Sequence, residues 1–366
     1  MSRVLYITNI PSPYRVEFFN ELGKYVDLTV AFERRSSDER DDAWSKYNFT
    51  NFKGYFLKGK NYGVNMALSF GVCEYISSQK WDFIVCTDAY SPTGIIAIQY
   101  MKMKRIPYWI EGDGAFIGKT TGLKAAVKRY IYRKAEGVFS TGISHDNYYM
   151  AYGVSKDRIR RFNFSSLRRS DIIDAPLTEK EKKAYRIKLN ISENKILLSV
   201  GQFIYRKGFD LLLKSAESIP EDIGIYIIGG KPKEEYISIV QEKGLHNVHF
   251  LDFMSKSSLN EYYKAADVFV FPTREDIWGL VVNEALAQGL PVISTDRCGA
   301  ALELIKQGVN GYIVPADNEK ELSKYINRIF DEDLEAMSRE ALSIIQKYSI
   351  EQMVKDHCIV FNDEQQ

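Results

Sequence analysis

The chain has 366 residues, of which 45% are hydrophobic and 27% are charged, and its 49 basic and 48 acidic side chains leave a formal net charge of +1. This length suits two domains of ordinary size, and the composition is typical of a globular protein, which excludes a largely disordered chain. The near-zero net charge excludes a global field that attracts nucleic acid, so we predict no nucleic-acid partner.

The first half of the chain alternates short apolar strands with helical segments. RVLYITNI, DLTVAF, DFIVC, PYWIEG and GVFSTG are strand candidates, and YRVEFFNELGKY and TGIIAIQYMKMKR are helix candidates. A repeated strand–helix alternation predicts an α/β domain with a doubly wound parallel sheet. Residues 1–165 are therefore predicted to form a Rossmann-like domain.

The second half repeats the same alternation. Its strand candidates are KILLSVG, GIYIIGG, NVHFLDF, VFVFPT, LPVIST and GYIVP. We predict a polar linker at residues 166–192, a second Rossmann-like domain at 193–332, and terminal helices at 333–366 that pack back towards the first domain. Because open parallel sheets bind ligands outside the carboxyl ends of their strands, we expect the two sheets to face a central cleft that holds the site.

The cysteines and the amino terminus indicate the compartment. Cys73, Cys86, Cys298 and Cys358 lie far apart and form no C-x-x-C pair, which argues against a zinc site or a disulfide framework. The first apolar run is too short for a signal peptide, and no segment approaches the ~20 apolar residues that span a bilayer. We expect a cytoplasmic protein.

The stretch EGDGAFIGKTTG follows an apolar run and contains Gly-Lys-Thr, as a Walker A loop does. That loop needs four residues between its first glycine and the Gly-Lys-Thr, so that successive N–H groups point at the phosphate. Gly114 leaves three residues and Gly112 leaves five. This spacing argues against an ATPase or GTPase.

The segment TREDIWGLVVNEALAQG follows the strand VFVFP and carries the strongest functional pattern. Asp276 lies in the turn after the strand, and Gly279 permits close approach of a ligand before a helix begins. The N–H groups of Gly279, Leu280 and Val281 could hold a phosphate, and Glu284, one turn on, could accept bonds from ribose hydroxyls. In the alternative interpretation, Asp276 only caps the helix and Glu284 lies on the surface.

The run PTREDIWGLVVNEALAQGLPVISTDRCGAALELI, together with GQFIYRKGFDLLL, resembles the retaining glycosyltransferases of family 4, which have the GT-B fold. In that family two carboxylates spaced by seven residues flank the donor. The resemblance implies that Asp276 contacts the donor sugar and that Glu284 contacts the ribose. The family usually has Glu at the first position, so the neighbouring Glu275 is a second candidate for the sugar contact.

The resemblance also implies a diphosphate site after the first strand of the second domain. The family often has Arg immediately after the glycine there, whereas Gln202 follows Gly201 in this chain. Arg206 and Lys207 are the available cations, and we expect them to neutralise the leaving diphosphate, where charge develops in the transition state. The alternative is a solvated pair beside the following helix.

The amino-terminal domain is expected to serve the acceptor and part of the donor. Family members have a loop there that meets the donor sugar and frequently carries His; the matching WIEGDGAF has none, which leaves Glu111 or Asp113 for this contact. In the loop NIPSPYR, Ser12, Tyr14 and Arg15 are candidates for diphosphate or acceptor contact, and a purely structural turn is the alternative. A Glu-x-Asp might suggest metal, but the GT-B resemblance implies no metal and no cofactor.

Residues 119–137 have a basic amphipathic pattern. Such a helix could lie on the anionic inner face of a membrane, which would suit an acceptor carried on a polyprenyl diphosphate. A helix packed on the sheet with a solvated basic face is the alternative.

The resemblance therefore implies a metal-independent, retaining hexosyltransferase of bacterial capsule, exopolysaccharide or lipopolysaccharide biosynthesis. Its donor would be a nucleotide-diphosphate sugar, with a UDP-sugar favoured, and its acceptor a hydroxyl of a glycan or polyprenyl-diphosphate-linked glycan. The alternatives are a non-catalytic nucleotide-sugar-binding scaffold and, less favoured, a sugar-nucleotide epimerase or an NAD-dependent oxidoreductase. For the last, the first strand is followed by NIPSPYR and not by G-x-G-x-x-G.

Overall fold

The structure is a computed structural model that describes residues 1–35, 48–62, 66–118 and 121–363. The chain divides into two compact units, one formed by Met1–Ser166 with Ser349–Gln366 and the other by Leu167–Tyr348. Each unit is built on a parallel sheet, which confirms the predicted α/β class with two Rossmann-like domains.

The strands are short and mostly buried. They are β1 (Arg3–Thr8), β2 (Asp27–Phe32), β3 (Lys53–Phe56), β4 (Lys60–Tyr62), β5 (Met66–Leu68), β6 (Phe83–Cys86), β7 (Trp109–Glu111), β8 (Gly137–Ser140), β9 (Ile159–Arg161), β10 (Lys195–Val200), β11 (Ile223–Ile228), β12 (Val248–Leu251), β13 (Val268–Phe271), β14 (Val292–Thr295) and β15 (Gly311–Val314).

Most helices connect successive strands, and the last three form the carboxyl-terminal segment. They are α1 (Pro13–Leu22), α2 (Val72–Ser77), α3 (Pro92–Lys104), α4 (Gly122–Tyr132), α5 (Ile143–Ala151), α6 (Glu179–Lys188), α7 (Phe209–Ser215), α8 (Glu234–Glu242), α9 (Lys256–Ala265), α10 (Leu280–Ala287), α11 (Gly299–Leu304), α12 (Glu319–Ile329), α13 (Leu334–Ile345) and α14 (Ile350–Asp363). Short 3-10 turns lie at Lys156–Arg158, Arg169–Asp171, Tyr205–Lys207 and Ala216–Ser218.

The sheet of the first unit has the order β3-β2-β1-β6-β7-β8-β9, and all its strand pairs are parallel. Its inner strands are buried and continuously apolar, as is typical of a parallel sheet covered on both faces. The strand order reverses between β1 and β6, so the loops that follow these two strands diverge and leave a crevice at the carboxyl edge.

The sheet of the second unit has the order β12-β11-β10-β13-β14-β15 and is also parallel throughout. The register pairs Leu197 with Val268 and Leu198 with Phe269, so β10 and β13 run side by side. Because the order reverses between these two strands, the loops after β10 and after β13 form the corresponding crevice of this unit.

Two parts of the predicted domain division differ from the structure. Residues 166–192, predicted to be a linker, contain helix α6, which packs on α9 within the second unit. Its Arg186 is buried and makes two 2.8 Å bonds to the Asp267 carboxylate and a 2.9 Å bond to the carbonyl of Ala265. The segment looks like a linker in the sequence because it lacks a local apolar stripe. Its buried cation, Arg186, is instead paired with Asp267, a carboxylate far along the chain.

The terminal helices divide between the two units. Within the predicted terminal segment 333–366, α13 packs on α10 of the second unit, whereas α14 packs on α1 of the first. Residues 364–366 lie outside the described residues. The strands β3 and β9, at the two edges of the first sheet, were not predicted from sequence, because KGYF and IRR are short and partly polar.

Position 208 requires glycine both because of its backbone conformation and because a side chain there would meet a neighbouring carbonyl. Its φ is +71°, and a Cβ there would lie 2.1 Å from the carbonyl oxygen of Pro272. Gly244 has a similar φ of +60° but nothing within 4 Å of its Cβ position, so it is a matched control. We expect Gly244→Ala to lower the free energy of unfolding by about 1–2 kcal/mol, the cost of a left-handed L-residue, and Gly208→Ala to lower it further.

Urea unfolding of both variants measures this difference. Equal losses of stability would show that the contact of Gly208 with Pro272 does not constrain the loop.

Candidate functional site

The crevice of the second unit is formed by the loop at 201–208 and the loop at 272–279, which follow β10 and β13. Gly201 packs so closely on the next strand that a Cβ at Gly229 would lie 1.7 Å from the Gly201 carbonyl oxygen. Gly279 has a φ of +96°, and its Cβ position is 2.8 Å from the Cys298 sulfur. The close approach therefore requires glycine at 229, and the backbone and surroundings of Gly279 require glycine there.

Helix α10 begins immediately after Gly279, which is its N-cap residue. The N–H groups of Leu280 and Val281 lie in the first turn, where an α-helix offers them no carbonyl partner of its own. The helix dipole adds partial positive charge at this end. The predicted arrangement of Gly279, Leu280 and Val281 thus has the geometry of an anion-binding helix terminus.

Three predicted site residues meet across the crevice. The Lys207 ammonium lies 2.6 Å from Asp276 Oδ2, and the Arg206 guanidinium lies 3.3 Å from the same oxygen. The side chains of Lys207 and Asp276 are each 13% exposed, whereas Arg206 is 47% exposed. The pair is largely withdrawn from water, and two cations converge on one carboxylate oxygen.

The two adjacent carboxylates of this loop point to different partners. Asp276 pairs with Lys207, whereas the half-exposed side chain of Glu275 pairs with Arg297. The Glu275 main-chain carbonyl accepts a 2.8 Å bond from Arg206. Asp276 is therefore the carboxylate that lies with the basic pair, and Gln202, beside Gly201, is exposed on the opposing loop.

Glu284 lies half-buried on α10, and its Oε2 accepts a 3.0 Å hydrogen bond from the Tyr263 hydroxyl. Burial raises the pKa of this carboxyl, and the Tyr263 bond opposes that rise. Among the described residues Glu284 Oε1 has no hydrogen-bond partner, so one oxygen remains available to accept a bond. Tyr263 was not predicted to take part, because its contact joins residues on two different helices.

Arg274 is the main site residue that the sequence did not reveal. Its guanidinium makes bonds of 2.7 and 2.8 Å to the Asp210 carboxylate, a 2.7 Å bond to the Tyr205 carbonyl and a 2.6 Å bond to Asp317. It also lies 3.9 Å from the centre of the Tyr205 ring. Because Arg274 belongs to the loop after β13 and Tyr205 to the loop after β10, this residue ties the two loops together.

In the first unit, the structure corrects the expected placement of Glu111. Its carboxylate is completely buried and accepts bonds from Arg15, from the Tyr6 hydroxyl at 3.0 Å and from His357 at 3.1 Å. Burial alone would raise the pKa of Glu111, but Arg15 and His357 outweigh it and lower the pKa to about 2. Glu111 ends strand β7 inside the unit and does not lie on an exposed loop.

Arg15 and its neighbours are likewise occupied by one another. Arg15 is 5% exposed and pairs with both Glu111 and Asp113, and the Tyr14 hydroxyl donates a 2.6 Å bond to Asp113. Ser12 is buried at the N-cap position of α1, with no side-chain cap. The expectation of an open diphosphate contact at Arg15 is corrected because two carboxylates neutralise it; Asp113, whose side chain is 29% exposed, keeps the most surface.

Within the described residues, no three His, Cys, Asp or Glu side chains are grouped in a way that could hold a metal ion. Across the same residues, no helix is both long enough and apolar enough to cross a bilayer.

The Arg274–Asp210 pair should couple the loop at 272–279 energetically to the start of α7. We expect Arg274→Ala and Asp210→Ala each to lower the free energy of unfolding by about 1.5–3 kcal/mol, because each leaves a charged hydrogen-bonding partner behind. The double variant should lose less than the sum of the two, with a coupling of about 0.5–3 kcal/mol. Urea denaturation of the four proteins in the cycle gives this coupling.

The exposed pair Arg339–Glu335 on α13 serves as the control, with one helical turn between the residues. Its cycle should show a coupling of about 0.5 kcal/mol or less, as for surface pairs in general. Additive losses at Arg274 and Asp210 would contradict the coupling of this loop to α7.

Parts of the chain are similar in sequence to known proteins. Residues 181–347 match the family described as glycosyl transferases group 1. The lipopolysaccharide glucosyltransferase WaaG of Escherichia coli is 28% identical over 153 residues, covering 40% of each chain. The N,N'-diacetylbacillosaminyl-diphospho-undecaprenol alpha-1,3-N-acetylgalactosaminyltransferase of Campylobacter jejuni is 22% identical over 276 residues, covering 72% of each. The chain spans 42%, 40% and 49% of the length of three curated relatives that it matches.

Solved structures match the chain over nearly its whole length. Sucrose-phosphate synthase from Thermosynechococcus elongatus has a TM-score of 0.78 at 17% identity, covering 99% of both chains. Anabaena Alr3699/HepE in complex with UDP has a TM-score of 0.79 at 14% identity, covering 99% of this chain and 100% of the other. Residues 181–347 therefore resemble the group 1 glycosyl transferases, and the chain has the GT-B fold, which confirms the resemblance inferred from the sequence.

Proposed function

We propose that this protein is a retaining, metal-independent glycosyltransferase of bacterial surface polysaccharide biosynthesis. It would transfer a sugar from a nucleotide-diphosphate donor, with a UDP-sugar favoured, to a hydroxyl of a glycan or lipid-linked glycan. The observation that carries the proposal is the convergence of Lys207 and Arg206 on Asp276 beside the first turn of α10.

The donor diphosphate fits this crevice by charge. Lys207 has three N–H donors and Arg206 has five, so each can bind phosphate oxygens while keeping a bond to Asp276. Helix-terminus attraction is worth about 0.3–2 kcal/mol, whereas one preorganised contact to charge that develops in the transition state is worth about 3–4 kcal/mol. We therefore assign the main stabilisation of the leaving group to Lys207 and Arg206, and a supporting part to α10.

We assign the contacts to the nucleoside and to the sugar to two carboxylates. Glu284 Oε1 would accept hydrogen bonds from the ribose hydroxyls, while the Tyr263 hydroxyl holds Oε2 in place. Asp276, which lies with the basic pair, would contact the donor sugar, and Glu275 is turned towards Arg297. A solved structure of Anabaena HepE contains UDP-glucose, which supports the preference for a UDP-sugar.

Retention of configuration needs no strong protein base in this proposal. The departing phosphate would accept the proton of the acceptor hydroxyl on the same face of the sugar from which it leaves. The basic residues Lys207 and Arg206 would hold that phosphate oxygen and lower the barrier by neutralising its charge. No cofactor takes part in the proposed reaction.

The acceptor is assigned to the first unit. Asp113 retains an exposed edge on the loop after β7 and is the remaining candidate there for contact with acceptor or sugar. Glu111, Arg15 and Tyr14 would support that loop from within. The Campylobacter relative is named for a diphospho-undecaprenol-linked acceptor, which supports a lipid-linked glycan for this chain.

Substitution of Lys207 tests the reaction. We expect Lys207→Ala to lower kcat by roughly 100-fold or more with a smaller effect on donor affinity, because its contact strengthens in the transition state. Lys324→Ala, at a half-exposed lysine that pairs with Glu321 on α12, should leave turnover unchanged. The assay measures the rate at which nucleoside diphosphate is released in the presence of lipid-linked glycan acceptors. With UDP-glucose, UDP-galactose and UDP-N-acetylglucosamine as donors, this rate gives kcat and KM.

Unchanged turnover in Lys207→Ala would remove Lys207 from the reaction. If the wild type binds a donor but releases nucleoside diphosphate from none of them, the non-catalytic scaffold is favoured.

Peripheral membrane contact is a further part of the proposal. Residues 119 and 120 of the predicted basic segment 119–137 lie outside the described residues, and α4 occupies Gly122–Tyr132. The helix buries Ala125 and Ile131 and leaves Leu123 80% exposed. An exposed apolar side chain beside Lys124 suits an anionic lipid surface.

Cosedimentation with vesicles tests this contact. We expect Lys124→Ala to weaken partition onto phosphatidylglycerol vesicles about fivefold, because one basic residue near the lipid is worth about 1 kcal/mol. Lys320→Ala, on α12 of the second unit, is the control and should have no effect. Equal binding to neutral phosphatidylcholine vesicles, or no binding at all, would contradict an electrostatic membrane contact.

A further inference from the structure

His357 is a buried histidine on α14 that the proposed reaction does not use. It has no exposed surface. Its Nδ1 lies 2.7 Å from the carbonyl oxygen of Met353, and its Nε2 lies 3.1 Å from Oε2 of Glu111. Its ring stacks on Phe139 at 4.4 Å between ring centres. Both nitrogens of this imidazole therefore face oxygen atoms inside an aromatic enclosure.

The two contacts determine the protonation of the ring. A carbonyl oxygen only accepts hydrogen bonds, so Nδ1 carries a proton towards Met353. Glu111 is ionised, because the buried Arg15 guanidinium that binds it lowers its pKa against the effect of burial, and an ionised carboxylate also only accepts hydrogen bonds. Nε2 must therefore carry a proton as well, which makes His357 an imidazolium.

The charges around His357 support this state. Glu111 faces it from β7, and Arg15 from α1 and Tyr6 from β1 bind the same carboxylate. Strand β8 contributes the uncharged ring of Phe139, and Phe162 follows β9. Cys358 is the neighbouring titratable group on α14 itself. With Asp113, which Arg15 also binds, the cluster holds two cations and two anions. Loss of the His357 proton would turn a nitrogen lone pair towards a carboxylate oxygen.

We propose that His357 is a positioning residue, held as an imidazolium, which fixes Glu111 and, through Arg15, fixes Asp113 and the loop at 112–118. Its partner Glu111 is 246 residues away in the chain, so the contact fastens the terminal helix to the end of β7. The inference rests on the proposed function only because the proposed function gives this loop, through Asp113, a contact with acceptor or sugar.

Nitrogen-15 NMR of the wild-type protein tests the protonation directly. The chain has four histidines, and His357→Gln identifies the His357 signals by their loss. We expect both ring nitrogens of His357 to carry a proton, because both face atoms that only accept hydrogen bonds. A neutral ring with one protonated nitrogen would overturn the proposal, and this measurement needs no variant beyond the one used for assignment.

Hydrogen exchange tests the positioning. Gln keeps an N–H donor for Glu111, whereas Phe removes the donor and keeps an aromatic ring. We expect amide protection in residues 112–118, corrected for intrinsic exchange rates, to fall about tenfold or more in His357→Phe and to be largely restored in His357→Gln.

Protection of β13, in the second unit, is the internal control and should be the same in all three proteins. Unchanged protection of 112–118 in His357→Phe, or equal loss in Phe and Gln variants, would overturn the positioning role. Because neither measurement requires glycosyl transfer, failure of this proposal is distinct from failure of the proposed function.

Discussion

The ion pair between Lys207 and Asp276 joins the two loops that leave the second sheet where its strand order reverses. Those loops are adjacent because β10 and β13 are neighbours in a parallel sheet whose order runs β12-β11-β10-β13-β14-β15. The pair is mostly shielded from water, so its attraction is stronger than that of a surface pair, but it is costly unless further bonds support it. Arg274 supplies such support by binding Asp210 and the Tyr205 carbonyl at the same junction.

A similar balance of buried charge organises the first unit. Arg15, Glu111, Asp113 and His357 form a cluster in which every ionised group has a partner of opposite sign. Removing one member would leave an uncompensated charge, which is the expensive case for buried ion pairs. The cluster therefore holds α1, the end of β7 and α14 in one arrangement, and leaves Asp113 as the group with an exposed edge.

Much of the architecture could be predicted from the sequence because parallel strands leave strong local signals. VFVFP and LLSV are apolar runs of strand length, and the carboxyl edge that follows them carries Asp276, Lys207 and Gly279. The meeting of Lys207 with Asp276 follows from the strand order, which the alternation of elements and the family resemblance both indicate. The helix α6 was missed because its buried charge, Arg186, is satisfied by Asp267, a residue far along the chain.

The burial of Glu111 and Arg15 could not be predicted in the same way. A polar residue at the end of a strand reads as a loop residue unless its partners are known, and Glu111 is enclosed by residues of β1, α1 and α14. His357 lies 246 residues from Glu111, and Arg274 lies 64 residues from Asp210. Sequence patterns report neighbours within one element, whereas these contacts depend on packing between elements.

The most direct test of the account is calorimetric titration of the protein with UDP, GDP and CMP in EDTA, repeated with Glu284→Ala. We predict EDTA-insensitive binding of one nucleoside diphosphate, with UDP favoured, and at least tenfold weaker binding by Glu284→Ala, because a ribose contact acts in the bound ground state. Absence of binding to every nucleotide, or binding that requires a divalent metal, would contradict the assignment of the crevice between the β10 and β13 loops as a metal-independent donor site.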